Sequence, residues 1–333
     1  MSADRHYPLL LALLAAATVA LFLLSLTVGP AGIAFLESMK ALVSDKADGV
    51  ALIMREIRLP RAILGGMIGA TLGLSGAVLQ GYLRNPLAEP GLLGISASAS
   101  LGAVLAIYTG LSAAFALALP LAALTGAVAA VLVVQALAGQ RGGALIVILA
   151  GIAVTSFAGA MTSLALNLSP NPFAALEIMF WMLGSLTDRS MVHVWLSAPF
   201  MLVGWLMLAS LGRALDALTL GSETAASMGI ELRKVQFLAV FGTAASVGAA
   251  TAVAGAIGFV GLVVPHILRP LVGARPSRLL PASALGGACV VLTADILVRI
   301  IAPERDLKLG VLTAIVGAPF FLWLVFRTRR SLL

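Results

Sequence analysis

The sequence predicts an all-α polytopic membrane protein with about ten transmembrane helices, and three observations carry this prediction. Of the 333 residues, 61% are hydrophobic and 11% are charged, whereas soluble domains carry about a quarter charged residues. The mean hydropathy is +1.09. Several stretches lack every ionisable side chain over the roughly 20 residues that a helix needs to cross a bilayer. A soluble enzyme and a disordered chain are therefore excluded.

The uncharged stretches divide into ten predicted spans. The stretch over 90–140 is too long for one helix and breaks near Gly110, so it gives two. Gly255, Gly258 and Gly261 fit either a tight turn between the seventh and eighth spans or one kinked span. The predicted spans run over about 8–28, 61–83, 91–108, 114–138, 143–166, 192–211, 235–255, 258–272, 280–300 and 309–326.

The first apolar stretch is interpreted as an uncleaved span. Its core is longer than the roughly 7–15 residues of a signal peptide, and no clear cleavage site follows it.

Ten spans put both termini on one side. If both termini are cytoplasmic, the whole net charge of +7 lies on the inner side, as the positive-inside rule requires. The excess of basic residues is then explained without a nucleic-acid partner. Loops are short except at about 29–60, 167–191 and 212–234, which predicts one domain over 1–333.

Small residues in the second span predict close helix packing. Gly65, Gly69 and Gly73 recur every four residues, a spacing that lets membrane helices approach each other; a sliding surface is the alternative reading. The segments 75–94 and 254–273 also resemble each other and occupy the second span of each five-span half. Because five is odd, such halves would be inverted relative to each other, so the resemblance hints at a five-plus-five inverted repeat of the transporter kind.

Residues that could carry catalysis are sparse. Asp295 and Arg299 lie four apart in the ninth span, which favours a self-neutralised pair at the outer interface. His193 and His266 have no second ligand at metal-binding spacing, and Cys289 is read as a packing residue. The sequence contains no phosphate-binding loop, nucleophile elbow or metalloprotease motif. We therefore expect no enzyme activity, metal or cofactor on this chain, and any nucleotide would be bound by another chain.

Two polar segments on the cytoplasmic side stand out. Prolines and glycines over 84–94 forbid a continuous helix and leave backbone groups that need partners. The segment 212–234, between spans six and seven, predicts a short helix over 222–227 with Ser222 or Thr219 as its cap and Gly229 at its end. This helix would either dock into a groove of a partner or serve as a connector.

Four motifs along the chain resemble a known family. They are Arg-Leu-Pro-Arg at 58–61, Ser-Gly-Ala-Val-Leu-Gln at 75–80, Asn-Pro-Leu-Ala-Glu-Pro-Gly-Leu-Leu-Gly at 85–94 and Gly-Phe-Val-Gly-Leu-Val-Val-Pro-His at 258–266. The chain resembles, from about 55 to 326, the permease subunits of ABC importers for ferric siderophores, haem and cobalamin (the FecCD-type iron-complex permeases).

The resemblance implies a type II ABC importer permease of the bacterial inner membrane. Such a permease works as a pair, a homodimer being expected here, with two cytoplasmic ATPase subunits that hold ATP and magnesium. A periplasmic or lipid-anchored substrate-binding protein delivers the cargo. A ferric siderophore is the expected cargo, with haem or cobalamin as alternatives.

The resemblance also assigns roles to residues. It implies ATPase coupling by Leu220, Gly221, Ser222, Glu223, Ala225, Ala226, Met228 and Gly229. It implies binding-protein docking by Arg58, Arg61 and Arg299, which also cluster at outer helix ends in the predicted topology. It implies a translocation path or gate that involves Gln80, Asn85, Pro86, Gly151, Thr155, Ser156 and Gly159. The uncharged wall of span five predicts that specificity resides mainly in the binding protein.

Three rival readings remain from the residues alone. A stand-alone secondary carrier would need ion-coupling acids inside the bundle, and Asp295 is the single candidate. An intramembrane enzyme lacks a catalytic constellation. A purely structural membrane protein would leave the polar docking segment unexplained.

Overall fold

The computed structural model describes residues 2–29, 32–43, 48–115, 117–139, 143–169, 171–303 and 307–330, and all regular structure in these ranges is helical. A π-helical turn at Ile53–Arg58 joins α3 to α4, and short 3-10 turns lie at Pro90–Leu93 and Arg269–Val272. The α-helices are α1 Ser2–Thr27, α2 Phe35–Val43, α3 Gly49–Leu52, α4 Leu59–Tyr82, α5 Ile95–Tyr108, α6 Leu111–Ala114, α7 Ala118–Ala138, α8 Ala144–Asn167, α9 Pro172–Met182, α10 Met191–Ala209, α11 Gly212–Leu218, α12 Ser222–Ser227, α13 Leu232–Ala254, α14 Val260–Leu268, α15 Pro276–Ile301 and α16 Leu309–Arg330.

The prediction of an all-α membrane protein is confirmed. Within the described residues, seven helices are long and apolar enough to cross a bilayer: α1, the continuous helix over 49–82, α7, α8, α10, α13 and α15. The other three predicted spans correspond to shorter apolar helices, Ile95–Tyr108, Val260–Val272 and Leu309–Leu324. A non-helical segment at 255–259 separates α13 from α14, so the seventh and eighth spans are two helices rather than one kinked helix.

Three helices lie in segments predicted as loops. The segment 29–60 contains α2 and the start of the 49–82 helix, and the segment 167–191 contains α9. The start of α9 is capped, because Asn171 Oδ1 accepts the Phe173 N–H at 2.9 Å and Pro172 occupies the first helical position, where its missing N–H costs nothing. The π turn lies just before Pro60, which has no N–H to continue the α-helical ladder.

The centre of the bundle is the contact between α4 and α15, and it rests on small residues. A Cβ added to Gly69 would overlap the Gly287 carbonyl, and one added to Gly73 would overlap the Ser283 carbonyl. The backbones therefore touch directly, as the spacing of the glycines predicted. An irregular segment follows α4 and another follows α13, each before a short helix, which agrees with the resemblance of 75–94 to 254–273. The inverted relation of the two halves stays a prediction.

Candidate functional site

The C-terminal end of α1 is capped by two arginines from other helices. The last carbonyls of a helix have no partner within it and carry partial negative charge. Arg58 Nη1 donates to the carbonyls of Leu26 and Thr27 at 2.9 and 3.0 Å. Arg299 Nη1 donates to the carbonyls of Ser25 and Val28 at 2.8 and 2.7 Å. Four consecutive carbonyls are thus satisfied by two guanidinium groups.

Asp295 lies between two of the predicted docking arginines. Its Oδ1 accepts from Arg61 Nε at 2.9 Å, and its Oδ2 is 2.8 Å from Arg299 Nη2. The Asp295 side chain is 2% exposed, so its charge is neutralised inside the protein. The predicted pairing of Asp295 with Arg299 is therefore present, and Arg61 is a second partner, 234 positions away in sequence, that the sequence did not indicate.

The three predicted docking arginines come together in one cluster, but they differ in access. Arg58 is 4% exposed, and the side chains of Arg61 and Arg299 are 15% and 9% exposed. We call Arg58, Arg61, Asp295 and Arg299 the outer ion cluster, after the side of the membrane on which the sequence predicts them. Docking by these arginines stays a prediction, and the contacts show that two of them also hold α1.

Gln80, predicted at the path or gate, is buried and joins α4 to α14. Its Nε2 donates to the carbonyls of Gly261 and Leu262, each at 3.3 Å, and its Oε1 accepts from Arg269 Nη2 at 2.6 Å. The Gly261 carbonyl needs such a donor, because Pro265 has no N–H to give it. In this conformation Gln80 therefore supplies the hydrogen bond to the Gly261 carbonyl that Pro265 cannot make.

The segment between α4 and α5 folds back against α14. Asn85 Oδ1 accepts the Leu87 N–H at 2.9 Å, which forms a tight turn that leaves Pro86 exposed. Further along, the Glu89 carboxylate accepts the backbone N–H of Phe259, just before α14. Burial raises the pKa of Glu89, and this hydrogen bond offsets part of the rise. No sequence pattern indicated this contact.

The predicted path residues on α8 divide between a packed and an open face. Gly151 lies against the backbone of Leu92, where a Cβ would overlap the Leu92 carbonyl. Thr155 is half-buried and its hydroxyl donates to the Gly151 carbonyl at 2.8 Å, while Ser156 and Gly159 are exposed. One side of α8 is thus anchored to the 84–94 segment, and the exposed side is uncharged, with Ser156 and Gly159 beside larger apolar side chains such as Ile152 and Phe157.

The short helix predicted in the segment 212–234 is present as α12. The Ile230 N–H donates to the Ala225 carbonyl and the Gly229 N–H to that of Ala226, with Gly229 at φ +84°, so the helix ends at Gly229 as predicted. The cap prediction is wrong: Gly221 occupies the N-cap position with no side-chain hydrogen bond, and Thr219 donates instead to the Asp216 carbonyl.

Packing divides the predicted coupling residues into a buried anchor and an exposed surface. Ala225 is fully buried, whereas Leu220 and Met228 are 63% and 60% exposed. Gly221 is half-buried. The remaining predicted members, all exposed, are Ser222, Glu223, Ala226 and Gly229. The apolar side chains of Leu220 and Met228, which flank α12, and the carboxylate of Glu223 are thus exposed, while Ala225 anchors the helix.

The sequence missed the residue that joins this segment to the bundle. Asp216, on α11, accepts the backbone N–H of Ser277 with its Oδ1 at 2.8 Å, in the first turn of α15. A carboxylate at that position caps an unpaired amide and suits the positive end of the helix dipole. Because the two residues are 61 positions apart, local capping patterns do not reveal the pair.

Isolated histidines do not form a metal site in the described part of the chain, where no group of three His, Cys, Asp or Glu residues has metal-binding geometry. His193 closes a capping box with Ser190 at the start of α10, and the His266 ring packs edge-on against Phe320. The predicted functional residues therefore lie mainly at three places in the described chain: the outer ion cluster, the α4–α14 contact with the 84–94 segment, and the surface of α12.

Comparison with known proteins gives a consistent result along the chain. The model of the FecCD transport family matches residues 17–327. The hemin transport system permease HmuU of Yersinia pestis is 36% identical over 296 residues, which cover 85% of this chain and 86% of that protein. The Fe(3+) dicitrate transport system permease FecD of Escherichia coli is 36% identical over 277 residues, covering 83% and 86%.

A third relative and a solved structure agree with these matches. The vitamin B12 import system permease BtuC of Citrobacter koseri is 38% identical over 281 residues, covering 84% of each chain. A solved metal-chelate type ABC transporter in an inward-facing conformation superimposes with a TM-score of 0.85 at 29% identity, over 96% of this chain and 99% of that chain.

Proposed function

Because this chain belongs to the FecCD transport family, a family of ABC importer permease subunits, we propose that it carries a ferric siderophore across the bacterial inner membrane. The observation that carries the proposal is the extent of the likeness, which spans the helical bundle, the cytoplasmic segment with α12, and the outer ion cluster. Haem and cobalamin are the alternative cargoes, since relatives named for each are similarly close.

We propose that ATP hydrolysis occurs on two partner ATPases and reaches this chain through α12. Leu220, Glu223 and Met228 supply the exposed contact surface, and Ala225 anchors it. ATPase closure would push α11 and α12, and the Asp216 cap would pass that movement to α15. The chain itself would bind no ATP, magnesium or other cofactor.

A second permease copy would complete the path. The exposed side of α8, with Ser156 and Gly159, would face the partner across the path, and Thr155 would border it. Asn85 and Pro86 would form part of the inner gate, with Gln80 and Gly151 holding it in place. Small uncharged groups would let a bulky complex pass without binding it tightly.

The outer side would receive a substrate-binding protein at the outer ion cluster, with both termini of this chain in the cytoplasm. Carboxylates on the binding protein are the complementary groups for arginine forks. In this arrangement the binding protein selects the cargo, because the path side of α8 carries no charged residue.

Uptake into proteoliposomes tests the proposal. The chain is reconstituted with the ATPase and binding protein encoded beside it, and internal accumulation of a radiolabelled ferric hydroxamate siderophore, haem and cyanocobalamin is measured with ATP inside or outside. ATP-dependent accumulation of the siderophore alone is expected. Accumulation of haem or cobalamin instead selects the alternative cargo. Uptake by the chain alone, driven by a proton gradient, would overturn the assignment in favour of a secondary carrier.

A further inference from the structure

We propose that an anionic phospholipid binds where α1 meets the turn between α14 and α15. Its phosphate lies on Arg275 and Arg278, and one acyl chain lies in a groove between α14, α15 and α16. This site belongs to the membrane-spanning chain itself and does not depend on which cargo the chain carries.

Two arginines in the first turn of α15 form the headgroup end of the site. Arg275 is the exposed N-cap residue. The guanidinium carbon of Arg278 lies 5.1 Å from the centroid of the Tyr7 ring on α1, and the Tyr7 hydroxyl donates to the Arg278 carbonyl at 3.5 Å. Residues three apart are neighbours on a helix surface, so the two guanidinium groups can share one phosphate, which arginine binds through paired N–H groups.

The first backbone N–H groups of α15 are already used, so the side chains must hold the phosphate. Asp216 Oδ1 accepts the N–H of Ser277 at 2.8 Å, and the N–H of Arg278 donates to the Arg275 carbonyl at 3.1 Å. Asp216 is the acidic group in contact with this turn, and Arg213 lies three residues before it on α11. Three arginines thus surround one carboxylate, which leaves a positive potential that attracts an anion.

The tail end of the site is an uncharged groove between α14, α15 and α16. Its volume is about 290 Å³, and its lining includes Val260 and Val263 of α14, Val290 and Thr293 of α15, and Val316 of α16. Val290 and Val316 are 39% and 64% exposed, so the groove is open at the side of the bundle. One turn of an α-helix, roughly 5 Å long and 10 Å wide, would occupy about 400 Å³. The groove therefore suits a hydrocarbon chain better than a helix of a second copy.

An exposed apolar surface on α14 joins the two ends of the site. Ile267 follows Val263 by four residues, which places both on one face of the helix, and it is 51% exposed. Leu271, in the 3-10 turn that follows, is 52% exposed. α1 packs against this turn and against α15. An acyl chain can thus run from the two arginines over apolar side chains into the groove.

The depth of the site matches one leaflet of a bilayer. Val290 follows Arg278 by 12 residues on α15, which is about 18 Å along the helix axis. Half of the hydrocarbon core is about 15 Å thick. A chain whose phosphate lies at Arg278 therefore ends near the level of Val290. Tyr7, beside Arg278, lies at the depth where aromatic side chains concentrate in membrane proteins.

The first experiment measures lipid binding to the delipidated, purified permease by native mass spectrometry. Phosphatidylglycerol is expected to bind at least ten-fold more tightly than phosphatidylcholine with the same chains. Arg275→Gln should weaken phosphatidylglycerol binding by about five-fold, the effect of one basic residue near a charged headgroup, and Arg275→Lys should restore most of it. Lys234→Gln, an exposed lysine of α13, is the control and should bind as wild type.

Three results would overturn the headgroup role. They are equal binding of the two lipids, equal losses in Arg275→Gln and Lys234→Gln, and displacement of phosphatidylglycerol by an equal concentration of inorganic phosphate. The last result would assign the arginines to a free anion instead of a lipid.

The second experiment locates the acyl chain. Phosphatidylglycerol with a photoreactive diazirine at the chain end is bound to the permease, irradiated, and the labelled residues are identified by mass spectrometry. Labelling is expected to concentrate at Val263 and Val290. Thr293→Trp, at an exposed position in the groove, should reduce it at least several-fold while the thermal unfolding temperature stays near wild type. Val290→Trp is the second variant if Thr293→Trp proves unstable.

Labelling that is equally strong on the exposed face of α7, at Val128 and Leu132, would mean ordinary annular lipid and would overturn the site. Crosslinks from the groove to a second permease copy, without lipid label, would assign the groove to that copy and also overturn it.

Discussion

Asp216 on α11 caps the first turn of α15, with its Oδ1 2.8 Å from the Ser277 amide nitrogen. The same helix carries Asp295 near its other end, in the outer ion cluster. α15, a single helix of 26 residues packed backbone to backbone on α4, thus connects the segment that contains α12 to the outer ion cluster. A rigid element with a polar contact at each end can transmit movement between the two faces.

Removal of the Asp216 cap should weaken this connection. Asp216→Ala leaves the Ser277 N–H unpaired and is expected to cost about 1 kcal/mol of stability and to lower transport per ATP hydrolysed. Asp216→Asn is the matched control, because asparagine also caps helices and should stay near wild type. Thermal unfolding and coupled uptake assays measure the two effects. Equal behaviour of the two variants would contradict the capping role.

Changes on the exposed side of α12 should uncouple hydrolysis from uptake. Glu223→Arg reverses a charge and Met228→Glu introduces one, both at exposed positions. Folding is therefore expected to persist, while uptake per ATP hydrolysed falls by roughly ten-fold. ATPase rate and uptake are measured in the same proteoliposomes. Glu37→Lys, an exposed charge reversal on α2, serves as control. Normal coupling in both α12 variants would remove this helix from the coupling role.

The glycine contact between α4 and α15 should tolerate no side chain. Gly73→Ala puts a methyl group into the Ser283 carbonyl, so we expect it to destabilise the fold by about 1–3 kcal/mol or more. Gly66→Ala is the control on the same helix, since nothing lies within 4 Å of a Cβ added there. That variant should be neutral or stabilising by about 0.4–1 kcal/mol. Thermal unfolding in detergent compares them, and equal stability would argue against backbone contact.

Long stretches without ionisable residues were sufficient to predict the spans, because crossing a membrane requires long apolar helices whatever the fold. The same reasoning missed α2 and α9, since each is shorter than a membrane span and contains charged residues, Glu37 and Lys40 in α2 and Glu177 in α9. For α9 a local signal existed: Asn171 before Pro172 is an N-terminal capping pattern.

Contacts between distant residues could not be predicted from the sequence. The pairs Asp216–Ser277 and Arg61–Asp295 join helices whose packing no local pattern encodes. Gln80 shows the same limit: its motif was recognisable, but its bond to the Gly261 carbonyl is specified only by the position of α14. Resemblance thus suggested the candidate functional segments, while the structure shows which residues their side chains contact.

Gln80 and Pro265 should be energetically coupled. Gln80→Leu leaves the Gly261 carbonyl without a donor and should cost about 1–3 kcal/mol. Pro265→Ala restores a backbone N–H that can reach that carbonyl within α14, so it should recover part of the loss. A double-mutant cycle by thermal unfolding should give about 1 kcal/mol of coupling. Pro199→Ala on α10 provides the control cycle with Gln80→Leu, which should be additive. Additive costs in the Pro265 cycle would refute the compensation.

Glu89 should make stability depend on pH in a definite direction. Burial raises its pKa in the folded state, so folded protein holds the proton at pH values where unfolded protein has lost it. The free energy of unfolding should therefore fall as pH rises from the ordinary glutamate pKa to the raised one. Glu89→Gln keeps an oxygen for the Phe259 N–H but cannot ionise, so this variant should lack the fall and unfold at a higher temperature at pH 7. Thermal unfolding between pH 4.5 and 7.5 tests this, with exposed Glu37→Gln as the charge-loss control. A wild-type slope in Glu89→Gln would place the pH dependence elsewhere and leave the Glu89 contact without an energetic role in this range.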